Sequence, residues 1–141
     1  NGTLIAHMAR ANPHGKVLEQ SEALVIFQGP HAYISPSYYA SNTNVPTWNY
    51  VAVHAYGMPK IIEDTGSVRR LLERLTFDNE KELSQPWNPD QLVSKRLDGL
   101  MRGITAFEIP IERIEGKAKL GQNKSTEDQA AIQATIGELW K

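Results

Sequence analysis

Apolar and polar positions alternate with a period of two from the start of the chain. In Gly2 to Ala9, Leu4, Ala6 and Met8 oppose Thr3, Ile5 and His7, which predicts a strand with one partly polar face. Asn-Pro and Gly break the pattern in Arg10 to Lys16. Ala23 to Phe27 is a continuous apolar run of strand length, the signature of a strand buried on both faces. Gly29-Pro30 predicts a turn, after which His31 to Ser35 continues the sheet and Pro36 to Pro46 forms a polar loop. Thr47 to Gly57 (TWNYVAVHAYG) is the strongest strand, dense in aromatic and β-branched residues. With Met58 to Glu63 following a tight turn, it predicts a hairpin.

The period then changes to that of helices. Val68, Leu71, Leu72 and Leu75 fall at i, i+3, i+4 and i+7, with Asp64 or Thr65 placed to cap. Asn88, Pro89 and Gln91 predict the start of a second helix, whose Val93, Leu97, Leu100 and Met101 share one face up to Gly103. Phe107, Ile109 and Ile111 alternate against Glu108, Pro110 and Glu112, a strand exposed on one side whose proline suits an edge or a bulge. Ser125 and Asp128 read as a capping box for a last helix, with Ile132, Ile136, Leu139 and Trp140 on its buried side. Many strands, two helices, a strand and a helix make an α+β order rather than an alternating βαβ series.

Composition narrows the function classes. The 141 residues suffice for one domain with one sizeable core. A formal net charge of −1 gives no overall field toward nucleic acid, so DNA contact is supported by neither charge nor motif. The absence of cysteine removes disulfides and thiolate chemistry and fits a reducing compartment. No apolar run approaches the ~20 residues of a membrane span, and no signal-like segment opens the chain, so a cytoplasmic location is expected.

Three segments carry candidate chemistry. Arg10, Asn12, His14 and Lys16 place a guanidinium, an amide and further donors in one loop, which suits a phosphate; taken alone, a solvated turn is the simpler reading. Gln28 to Tyr39 and Val45 to Tyr50 gather aromatic rings near strand ends, where a flat heteroaromatic could stack with Asn49, Thr47 and Ser35 to orient it. For Tyr33, Tyr50 and Tyr56 core packing is the better account; for Trp48 it is not. Lys117 to Lys124 (KAKLGQNK) leads into the Ser125-capped helix, whose free amides suit an anionic or carbonyl-rich ligand, and a plain connector with solvated lysines accounts for it equally well. His7, His31 and His54 lie on separate strands without metal-pair spacing, so structural roles are expected and no metal site.

AHMARANP, GPHAYISPSYY, VPTWNYVAVHAYG and KAKLGQNKS, in this order, resemble the PaiB family of FMN-binding negative transcriptional regulators. The resemblance covers the chain from Gly2 onward. It implies an antiparallel split β-barrel of the FMN-binding type with peripheral helices, and a homodimer with FMN near the subunit interface. It further implies a single domain over residues 1–141 without the family's N-terminal helix and first strands. On this chain Arg10 and Asn12 correspond to the phosphate side, Trp48 and Asn49 to the ring side, and Lys119, Gln122 and Asn123 to a closing loop. Split-barrel relatives also include flavin-dependent oxidoreductases, and a haem-binding or haem-degrading relative would need one of the three strand histidines as axial ligand.

Overall fold

Six strands and three helices are found among the residues that the computed structural model describes, 2–137. In chain order they are β1 (Thr3–Ala9), β2 (Ala23–Ile34), β3 (Thr47–Gly57), β4 (Lys60–Ile62), α1 (Thr65–Glu80), α2 (Ser94–Arg102), β5 (Ile104–Pro110), β6 (Arg113–Lys119) and α3 (Thr126–Ile136). The strands make two three-stranded sheets, β1-β5-β4 and β2-β3-β6. By its contacts the chain divides into two compact units, Asn1–Leu24 with Tyr56–Arg113 and Val25–Ala55 with Ile114–Lys141.

The first unit holds the β1-β5-β4 sheet, with β5 central and antiparallel to both neighbours; Leu4 faces Ile109, and Ile62 faces Ala106. The Phe107 strand is therefore not an edge, and its Pro110 is tolerated because it stands at the end of the ladder, opposite Thr3. The expected hairpin does not form either, because β4 bonds to β5 instead of β3. Val68 and Leu71 of α1, Leu97 and Met101 of α2 and Ala106 of β5 build the core. Asp64 caps α1, its carboxylate accepting from the Ser67 N–H at 2.7 Å. Asn88 caps only a short 3-10 turn, Pro89–Gln91, and α2 starts later, at Ser94. Of the predicted stripe Leu97 and Met101 are buried, whereas Val93 and Leu100 face solvent.

In the second unit β2 runs unbroken through Gly29-Pro30, so the expected turn is absent. Val51 of β3 closes on Gly29, leaving only 3.3 Å to where a Cβ would stand, a close approach that accounts for glycine there. The apolar start of β2 is not buried on both faces: Leu24, Ile26 and Phe27 are each about half exposed. Ala32, Ile34, Tyr39 and Ile132 form this unit's core. Ser125 caps α3 by accepting the Asp128 N–H at 3.1 Å, but the Asp128 carboxylate is engaged elsewhere and does not complete a box. Leu139 and Trp140, expected on the buried side of α3, lie outside the described residues.

Candidate functional site

Alternation along His31, Ala32, Tyr33 and Ile34 sends Ala32 and Ile34 into the core and leaves His31 and Tyr33 exposed. On the neighbouring strand Trp48 is 53% exposed, whereas Asn49 beside it is buried. The Tyr33 ring meets Trp48 edge-on, 5.8 Å between centroids, and the His31 ring lies 6.3 Å from it. Tyr33 and His31, which sequence reasoning assigned to structure, thus join Trp48 in an open aromatic surface. The signal that could have found them was the period of two on β2.

From β6, Lys119 fastens this surface. Its ammonium donates to the Trp48 carbonyl at 2.8 Å and to the Thr47 hydroxyl. Gln122 braces the following loop in both directions, accepting the Leu120 N–H at 2.8 Å and donating to the Ala118 carbonyl at 2.6 Å. Gly121 adopts a φ of 76°, which few side chains tolerate, and a Cβ there would lie 3.8 Å from the Asn49 amide nitrogen. Asn123 is exposed in the turn that the Lys124 N–H closes onto the Gly121 carbonyl at 2.9 Å. Five of the seven expected site residues therefore belong to one unit: Trp48, Asn49, Lys119, Gln122 and Asn123.

In the same unit Asp128 gathers the loop that leads into β3. Buried at the first turn of α3, it accepts the Ser41 N–H, the Ser41 hydroxyl and the Asn44 amide at 2.8, 2.9 and 3.0 Å. These donors hold its carboxyl below the usual aspartate value, the Ser41 N–H foremost. Burial and the Asp128 charge in turn raise the Tyr39 phenol. Nothing in the spacing of Ser41, Asn44 and Asp128 announces this convergence, because Asp128 lies 87 residues from Ser41 and 84 from Asn44.

The other two expected residues, Arg10 and Asn12, belong to the first unit. They line a cleft of about 640 Å³ together with Lys16, Arg102, Glu63 and Asp98. Arg10 donates from Nε to the Arg102 carbonyl at 2.7 Å and from Nη2 to the Ile104 carbonyl at 2.8 Å, which pins the guanidinium plane. Three of its five N–H groups are left for a ligand. The Asn12 side chain accepts the His14 N–H at 3.0 Å and caps the 3-10 turn Pro13–Lys16. Among the described residues no group of three His, Cys, Asp or Glu could hold a metal ion, and no helix is long and apolar enough to cross a membrane.

Two antiparallel three-stranded sheets with three helices define a fold of the FMN-binding split-barrel type. The crystal structure of a "putative 5-nitroimidazole antibiotic resistance protein" from Bacteroides thetaiotaomicron shares this fold, with a TM-score of 0.55 and 14% identity over 82% of this chain and 61% of that one. The flavocytochrome Anf3 of Azotobacter vinelandii matches with a TM-score of 0.50 and 17% identity over 92% and 56% of the respective chains. The model of the family described as "Putative FMN-binding domain" matches residues 1–113, and the chain belongs to that family. It is 43% identical to the protease synthase and sporulation protein PAI 2 of Bacillus subtilis over 89% of its own length, and it spans 60% of that relative. Taken separately, each unit offers groups whose chemistry suits part of a flavin: the second an exposed indole for a flat ring, the first a pinned guanidinium for a phosphate beside a cleft within the volume range of cofactor sites.

Proposed function

We propose that this chain acts as a PaiB-type negative transcriptional regulator, a cytoplasmic homodimer that holds FMN in a cleft at its interface. The open Trp48 surface carries the reading, since an indole left half in water beside Tyr33 and His31 contributes little to a core and is well suited to stacking. In this reading Trp48 and the buried Asn49 face the ring system, while Lys119, Gln122 and Asn123 close over it. Arg10 takes the phosphate with its remaining donors, and Asn12 keeps the loop in shape by capping the adjacent turn. Half-exposed Leu24, Ile26 and Phe27 on β2 provide apolar surface for the second copy. Bound flavin supplies two-electron chemistry, which as a regulator's ligand would report redox state rather than turn over substrate.

Titration of FMN and riboflavin into the protein, followed by flavin fluorescence, tests the assignment. Arg10→Ala should weaken FMN more than riboflavin, because a guanidinium grips two phosphate oxygens that riboflavin lacks. Trp48→Ala should weaken both ligands alike, by about 0.5–1.5 kcal/mol of stacking beyond lost area. Equal effects of Arg10→Ala on the two ligands would return its loop to a solvated turn. Steady oxidation of NADH or NADPH by the FMN-loaded protein would replace the regulatory reading with a flavin-dependent oxidoreductase.

A further inference from the structure

A second preformed groove, in the first unit, is independent of the flavin reading. Glu73, Thr76, Phe77 and Glu80 stand at i, i+3, i+4 and i+7 on α1 and so share one face of its C-terminal half. Opposite them runs the segment Pro86 to Asp90, and the space they enclose measures about 590 Å³, within the range of small-ligand sites. Two clamps hold the groove open. Arg69 bonds Glu73 and Asp90, both at 2.7 Å, at one end, and Glu80 accepts the Trp87 N–H at 2.8 Å at the other. Phe77 is 66% exposed, and Trp87 is also exposed.

The charges in the groove are unbalanced. Arg69 answers Glu73 and Asp90, and Lys81, which also lines the groove, sits 3.8 Å from Asp78 outside it. Glu80 is half-buried and, among the described residues, has no cationic partner. A carboxylate withdrawn from water beside two aromatic rings is stabilised by a cation that brings its own apolar body. We propose that this groove binds an alkylammonium group, the ammonium at Glu80 and the aliphatic stem along Phe77 and Trp87. Such a group is carried both by a free primary amine and by a lysine side chain of a partner.

The test is titration of the full chain with n-butylammonium and with n-butanol, its neutral counterpart, read from the indole N–H resonance of Trp87. Saturable shifts with the amine, at least about tenfold tighter than with the alcohol, are expected. Glu80→Gln keeps an oxygen for the Trp87 N–H and should erase that preference. A lysine-containing peptide that binds more tightly than butylammonium would assign the group to a protein partner, and one that does not would assign it to a free amine. Equal binding of amine and alcohol, or no saturation by roughly 10 mM, beyond which affinity is negligible, would overturn the proposal.

Discussion

The carboxylate of Asp128 accepts both the main-chain N–H and the hydroxyl of Ser41, at 2.8 and 2.9 Å. One side chain at the start of α3 therefore sets the loop that delivers Thr47 and Trp48 to the ring surface. Asp128→Asn should lower the midpoint of thermal unfolding and also weaken flavin binding. The carboxyl's value is depressed below its ordinary 3.8 in the folded protein. Its stabilisation is therefore complete above pH 3.8 and is lost as the pH falls through the lower, folded value. The gap in unfolding midpoint between the wild type and Asp128→Asn should be widest above that pH and close below it. A constant gap across a pH series would show that the charge is immaterial.

Lys119 gives two of its three ammonium protons to Thr47 and the Trp48 carbonyl. Lys119→Met should reduce stability by about 1.5–3 kcal/mol, the usual range for a lost bond to a charged group, and shift the emission of Trp48. Lys119→Arg, which can reach the same oxygens, should recover part of both effects. Denaturant unfolding and fluorescence on a Trp87→Phe, Trp140→Phe background measure them.

Gly57 ends β3 in a buried position, where a Cβ would overlap the Pro110 carbonyl oxygen and stand 3.0 Å from the Ile109 Cγ2. Backbone cannot give way as a flexible side chain can. Gly57→Ala is expected to destabilise the protein by about 1–3 kcal/mol, the range for overpacking, measured by urea unfolding with an unchanged m-value.

Ile26 is 57% exposed, and it shares a strand face with Leu24. If that strip seats a second copy, Ile26→Glu puts an unpaired charge in an apolar contact and should convert dimer to monomer in sedimentation velocity at tens of micromolar. An unaltered sedimentation coefficient would place the interface elsewhere.

Local chemistry, legible in the sequence, set α1 and the N-cap of α3, though not the start of α2. Apolar spacing at Val68, Leu71, Leu72 and Leu75 and the Asp64 cap produced α1, and Ser125 capped α3. Each depends on residues within a few positions of one another, as periodicity and capping do. The resemblance to the PaiB family likewise rested on contiguous segments, and the family match agrees with it. Pairing was decided elsewhere. β4 follows β3 directly and yet bonds to β5, and β2 runs straight through a Gly-Pro pair that locally reads as a turn. Strand partners are chosen by which faces can be buried together, an energy shared among residues far apart in the chain. The same reason separates the parts of the site. Trp48 could be singled out from its segment alone, but the edge-on Tyr33, the two oxygens that hold Lys119 and the junction of Ser41, Asn44 and Asp128 exist only after β2, β3, β6 and α3 have packed.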